Sequence, residues 1–310
     1  MSGIPSLVAL LLFPSGLFIL MGGLAYQWVD RKALAQLQNR VGPRWFQPLA
    51  DMVKLLVKEE VVPEGAHPTL FYAMPIMGLA AALTAALYVP LLGFQAAHSF
   101  QGDLIVTVYL LSVLTISIAL AGTNTLTRFS WLGATRTLTQ LFSYEAPFML
   151  ALLGPAIAAG SWQISDIATY ASHNLWFAFT QPIGFIVALV GLMGKLELPP
   201  FDAPEAETEI VAGALTEYSG RGYALFRLAQ SVELIIGLSL VALFYLGGVS
   251  GTLAPLWYLI KTLSLVLILA GLQSLLTRLR IDQVVGFWWR LAAVFGLLQL
   301  LAIAVWRFLI

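Results

Sequence analysis

The chain has 310 residues, 59% of them hydrophobic and 10% charged, and its sixteen basic and sixteen acidic residues cancel. Soluble domains carry about a quarter charged residues, so a water-solvated globule is excluded and lipid is the expected solvent. Balanced charge gives no basis for a nucleic-acid partner; with no cysteine and three scattered histidines (His67, His98, His173), no iron–sulfur cluster, haem or zinc set and no disulfide is expected within the chain.

A lipid core takes about 20 apolar residues per helix. Stretches of that kind predict an all-α integral membrane protein, a single domain over 1–310. Its eight transmembrane helices are expected at about 4–27, 70–92, 103–122, 141–160, 176–195, 224–247, 253–273 and 286–308. The first stretch has no basic n-region and no small-residue cleavage site, and it reads as a span, not a removable signal. Every Lys and Arg except Lys261 and Arg307 falls in or beside the connections at 28–69, 123–140, 196–223 and 274–285. The connections after spans 2, 4 and 6 carry none. By the positive-inside bias, the charged loops face the cytoplasm of an inner membrane and both termini face outward.

The first loop is long for a mere connection. Within it, residues 46–58 space their apolar side chains as an amphipathic helix lying in the interface plane. Long charged loops on one face suggest a docking surface for a peripheral partner; plain solvated loops are the bland alternative. Asp30, Arg31 and Lys32 lead to Arg40, Gly42-Pro43, Arg44 and Asp51. Gly-Pro breaks the helix leaving span 1, and the arginines are placed to bind carboxylates or lipid head groups.

The third loop gathers Glu197, Asp202, Glu205, Glu207, Glu209 and Glu217, with Phe201 among them. Glu205 and Glu209, four apart, are expected on one helix face. Neighbouring carboxylates disfavour one another's ionisation, which suits proton holding or relay near neutral pH; an acidic solvated loop is the alternative. Among the ionisable groups that fall within predicted spans are Glu145, Glu233 and Lys261. At a helix centre each costs at least ~2.5–3.5 kcal/mol, so they are expected to face the bundle interior, on an ion path or as a buried pair such as Glu233 with Lys261.

Four stretches taken together carry a resemblance. Residues 30–59 (DRKALAQLQNRVGP, then FQPLADMVKLLVKE), 133–147 (GATRTLTQLFSYEAP), 199–220 (PPFDAPEAETEIVAGALTEYSG) and 278–290 (RLRIDQVVGFWWR) resemble, in order, the cytoplasmic connections of the heel (H) subunit of respiratory complex I. That family extends to energy-converting, membrane-bound nickel–iron hydrogenases. Only Arg44, Trp45 and Phe46 separate Pro43 from Gln47, and Lys195-Leu196-Glu197-Leu198-Pro199 stands where complex I usually has Ala-Glu-x-Asn-Arg. The short loop is similar to the hydrogenase branch, while Ser143–Pro147 looks more like complex I.

The resemblance implies a protein that is non-catalytic alone within a multi-subunit oxidoreductase. Such a protein anchors a peripheral redox arm and couples electron transfer to proton or sodium translocation. Iron–sulfur clusters, with a nickel–iron centre or quinone, would belong to the partner subunits, alongside antiporter-like and small hydrophobic membrane subunits. It further implies coupling roles for Glu145, Glu197, Asp202, Glu205, Glu207, Glu209, Glu217, Glu233 and Lys261. Contacts to the arm or to quinone would come from Arg31, Arg40, Arg44, Asp51, Arg136, Phe201, Arg278, Arg280 and Asp282. The rival readings are a quinone-chamber subunit of a quinone oxidoreductase, a scaffold whose acids are structural only, and a stand-alone secondary transporter. The last would show inverted repeats with broken spans at matching positions.

Overall fold

A computed structural model describes residues 16–173, 177–249 and 251–309. Among these every regular element is helical. We number them α1 Gly16–Leu37, α2 Gln47–Val57, α3 Pro68–Ala86, α4 Asp103–Asn124, α5 Arg128–Ala159, α6 Ile164–His173 and α7 Phe177–Thr180. There follow α8 Pro182–Lys195, α9 Glu207–Ile210, α10 Gly220–Tyr245, α11 Ala254–Leu275, α12 Ile281–Phe287 and α13 Ala293–Leu309, with a π turn at Trp288–Ala292 joining the last two. Six helices among the described residues are long and apolar enough to cross a membrane, the α12–α13 run counting as one; α8 is a shorter apolar helix. The start of the span expected at 4–27 lies outside the described residues.

Several boundaries differ from the hydropathy reading, each for a local reason. The stretch 123–140, expected as a loop, is helical from Arg128, because polar Thr and Arg positions lower hydropathy without opposing a helix. At 32 residues α5 runs about 48 Å and outreaches a lipid core of about 30 Å. The span expected at 176–195 is interrupted at Gln181, whose φ of −130° and ψ of 56° are not helical, and Pro182 restarts it. The connection expected at 274–285 is already helical from Ile281.

α10 is the central element: its side chains are buried almost continuously from Ser231 to Tyr245. It packs against α1 and α3 on one side and meets α2, α6, α8 and α11 elsewhere. In lipid, helices associate through close packing of small residues. A Cβ on Gly23 of α1 would lie 2.8 Å from the Ser231 carbonyl of α10, so those backbones approach as only glycine allows. α2 lays Pro48 and Met52 inward, and Met52 packs with Leu24 and Ala224.

Prolines inside two helices free a carbonyl each, since residue i no longer donates to i−4. Pro75 in α3 frees Phe71, and the Tyr218 hydroxyl donates to that carbonyl at 3.1 Å. Pro155 in α5 frees Ala151, and the Tyr245 hydroxyl donates to it at 2.6 Å. Both of these freed carbonyls are thus met by a tyrosine from a distant part of the chain; Pro147 is a further internal proline of α5.

Candidate functional site

The loop at 196–219 enters the protein between α5, α10 and the α11–α12 connection. Three contacts set its course. Phe201 is buried and its ring packs on Trp288 at 4.8 Å and Phe287 at 5.5 Å. Gln140 of α5 donates from Nε2 to two carbonyls, Gly194 at 2.9 Å and Phe201 at 2.7 Å. A Cβ on Gly133 would sit 2.3 Å from the Ala214 nitrogen, so α5 lies directly against the far end of the loop.

So held, the loop's acids meet cations from other elements. Arg278 grips Asp202 through two parallel hydrogen bonds, Nε to Oδ1 at 2.8 Å and Nη2 to Oδ2. Arg227 of α10 lies 3.6 Å from Glu205, and Arg136 of α5 donates to Glu209 at 2.8 Å. That hydrogen bond and charge hold the Glu209 carboxyl below its usual range. Glu205 and Glu209 therefore do not share a helix face: only residues 207–210 are helical here, and the two acids go to separate arginines. Three of the six acids, Asp202, Glu205 and Glu209, are thus paired with arginine, while the repulsion expected from sequence is felt at Glu197.

Glu197 is different. Burial first, then the charges of Glu205 and Glu233, push its carboxyl up to about 8. It lines a cavity of about 450 Å³ together with Asp30, Lys195, Asp202, Glu205, Arg227, Glu233 and Arg278. A polar cavity of this size is suited to ordered water, which needs two to four polar partners.

At the membrane side of the cavity Lys195 ends α8 and faces Glu233 of α10, Nζ to Oε1 3.5 Å, with side chains only 1% and 5% exposed. The same Nζ stands 5.6 Å from the centroid of the Tyr144 ring. The next residue, Glu145, accepts a hydrogen bond from Ser112 of α4 at 2.6 Å. Lys195 Nζ, Glu233 Oε1, Tyr144 OH and Gln27 Oε1 are buried and lack hydrogen-bond partners. Buried polar atoms are nearly always paired, so such a concentration of unpaired ones sets this region apart from the rest of the interior.

The pairing of Glu233 with Lys261 does not occur. Lys261 Nζ instead donates to the Gly247 and Gly248 carbonyls at 2.9 and 2.7 Å, capping the chain where α10 ends. Among the other expected residues, Arg31 and Asp51 approach to 3.6 Å at the root of α2, and Arg40 and Arg44 are exposed. Arg280 and Asp282 form an exposed pair at 3.9 Å, Glu217 is half-buried away from the cavity, and the Glu207 side chain lies outside the described residues.

A match to the family described as NADH dehydrogenase extends over residues 9–304 and decides the kinship. The chain belongs to that family. It is 35% identical over 294 residues to an NADH-quinone oxidoreductase H subunit, the one numbered 2, of Geobacter sulfurreducens, covering 88% of each chain. It is 34% identical over 309 residues to the NADH-quinone oxidoreductase H subunit of Thermomicrobium roseum, covering 91% of each. Among solved structures, it shares its fold with a chain of the membrane-bound sulfane sulfur reductase, an archaeal respiratory membrane complex. The TM-score is 0.85 at 22% identity, over 92% of this chain and 96% of that one. As a homologue of these H subunits, the chain is a membrane component of a respiratory-complex type.

Residue-by-residue reading of the sequence did not place Gln27, Asp30, Lys195 or Arg227 among the site residues. Asp30 receives a hydrogen bond from Gln273 at 3.3 Å, and Gln27 lies one turn before it on α1. Arg227 looked like a loop-flanking cation and Lys195 like a membrane-edge charge. The available signal for Lys195 was that a lysine closes an apolar run.

Proposed function

We propose that the chain is the membrane-anchor and coupling subunit of a complex-I-like, redox-driven ion pump. The observation that carries this reading is one cavity joining the arginine-paired loop to a buried lysine–glutamate pair. Its upper wall is the loop that a peripheral electron-transfer arm would contact, with Phe201, Asp202 and Arg278 fixed at its base. Its floor is Lys195 and Glu233, from which Tyr144 leads to Glu145. Charge arriving above shifts the protonation of Glu197, and the Lys195–Glu233 attraction changes with it. Glu145 carries the change onward to neighbouring membrane subunits, as a proton or by admitting sodium.

On this reading Arg31, Arg40, Arg44, Asp51, Arg136, Arg280 and Asp282 belong to the arm-facing surface, on the cytoplasmic side, and both termini lie outside. Glu205, Glu207, Glu209 and Glu217 tune that surface, and Lys261 serves structure. Iron–sulfur clusters and the electron-accepting centre reside in partner subunits, alongside antiporter-like and small hydrophobic membrane subunits. The short Pro43–Gln47 connection and Lys195 favour the ferredoxin-dependent hydrogenase branch. The relatives from quinone oxidoreductases favour the second reading, in which the same cavity admits a quinone head group.

Purification of the whole complex in mild detergent, followed by two assays, separates these. Hydrogen evolution from reduced ferredoxin with a co-purifying nickel subunit selects the first branch. Quinone reduction without nickel selects the second. A chain that purifies alone and transports a solute overturns both.

A further inference from the structure

Trp288 opens the π turn between α12 and α13, and it is the largest fully buried side chain among the described residues. In an uninterrupted α-helix it would stand about 140° round the axis from Ala293, five positions on. The wider π turn closes over those five residues, the Ala293 N–H donating to the Trp288 carbonyl. Trp288 is thereby returned to the buried face that Ala293, Gly296 and Ile303 continue along α13. Single π turns inside helices are rare and gather at functional sites.

The indole sits where three elements meet. Its ring centroid lies 4.8 Å from that of Phe201 at the base of the loop and 6.3 Å, edge-on, from that of Tyr144 on α5. Against α8 it reaches Gly194, where a Cβ would lie 2.6 Å from Trp288 Cζ2 and 3.2 Å from Tyr144 Cβ. Glycine at this position lets the indole, Tyr144 and the last turn of α8 close on one another, and the next residue is Lys195. No hydrogen bond fixes the ring, because Nε1 is buried without a partner. A buried donor left unpaired is costly and rare in native proteins. Held only by the surfaces around it, the indole follows its neighbours when they shift.

We propose that Trp288 is a positioning residue for coupling: it carries displacement of Phe201 to Gly194 and Tyr144, and so sets how Lys195 stands against Glu233. The assignment rests on the coupling role proposed for that pair. Lys195 Nζ is 5.6 Å from the Tyr144 ring centroid and 3.5 Å from Glu233 Oε1, so it senses both elements that the indole touches. A close-packed interior has few voids to absorb a displacement, and the attraction between two charges changes with their separation.

The test is an exchange of size across the Trp288–Gly194 contact, made in the whole complex in proteoliposomes. Redox turnover with reduced ferredoxin or a short-chain quinone is read beside proton uptake, by a pH-sensitive dye, and sodium uptake, by tracer. Gly194→Ala drives a methyl group against Cζ2, whereas Trp288→Phe removes Cζ2 and leaves a gap at Gly194. Each single variant should lose most of the ions moved per electron while turnover continues. The double variant, in which alanine meets the smaller ring, should recover them. Trp289→Phe, on the exposed side of the same turn, should match wild type. A side chain that merely fills space would alter thermal stability and leave ions per electron unchanged. Wild-type coupling in Trp288→Phe overturns the assignment, even where Gly194→Ala fails to assemble, and so does a double variant that stays uncoupled. A wild-type complex that turns over without moving ions overturns the coupling role itself, and the assignment with it.

Discussion

Lys195 Nζ lies 3.5 Å from Glu233 Oε1 inside the protein, and neither atom is hydrogen-bonded. Such a pair gains roughly 5 kcal/mol of attraction at an effective dielectric constant of 20. Removal of each ion from water costs several kcal/mol, so the pair sits near balance and small charge changes nearby can loosen it. Lys195→Met leaves a lone buried carboxylate and should destabilise the protein by about 3–5 kcal/mol, while Lys195→Met with Glu233→Gln should recover most of that loss. Thermal unfolding of wild type, both single variants and the double variant completes the cycle; additive losses would show that the two residues do not act as a pair.

Glu145 tests the relay. Glu145→Gln keeps shape and the Ser112 hydrogen bond but removes the titrating group, so assembly and electron transfer should persist while the ion gradient collapses. The readout is gradient formation in proteoliposomes beside redox turnover, and an intact gradient would remove Glu145 from the path.

Glu197 sets a pH dependence. Its carboxyl is raised to about 8 by burial and by Glu205 and Glu233. The folded protein then keeps a proton that the unfolded chain has lost, so its stability falls as pH rises from about 4.5 to about 8. Glu197→Gln should lift that penalty, raising Tm by several degrees more at pH 9 than at pH 5. A Tm difference that does not change between those pH values would place the proton elsewhere.

The two-bond grip of Arg278 on Asp202 fixes the base of the loop. Lysine keeps the charge but not the planar fork, so Arg278→Lys should cost about 1–3 kcal/mol and expose residues 203–212 to protease. Limited proteolysis of the purified complex reads this directly; an unchanged cleavage pattern would show that Phe201 and Gln140 suffice.

Tyr218 donates to the Phe71 carbonyl that Pro75 frees in α3. Tyr218→Phe keeps the ring stacked on Phe71 but leaves the freed carbonyl without a donor, a loss of about 1–3 kcal/mol. Comparison with Tyr218→Leu by thermal unfolding separates hydroxyl from ring; equal losses would assign the effect to packing.

What the sequence made legible was set by solvent and pattern. Long apolar stretches announced helices in lipid, and the acidic loop announced a charged layer at one end. Rotation about a helix axis was invisible, which is why Lys261 looked like a partner for Glu233: depth along the chain says nothing about which side faces which neighbour. Arg136, Arg227 and Arg278 meet acids many residues away, and no local spacing encodes those encounters. The helical run before residue 141 was hidden because hydropathy reports burial in lipid, not helicity. Pro182 did mark the break at Gln181, but averaging over a membrane-length window smoothed it away.

Gln140 has a consequence for how movement is passed on. One amide nitrogen fastens the last turn of α8 at Gly194 and the loop at Phe201, on either side of the turn that contains Glu197. The helix end and the loop are therefore a single mechanical part hung from α5, and Gly194 is wedged against Trp288 with no slack. On the proposed coupling role, a push on the loop would pass from Phe201 through Gln140 to Gly194 and its neighbour Lys195. The distance between two opposite charges would then gauge a force applied at the loop.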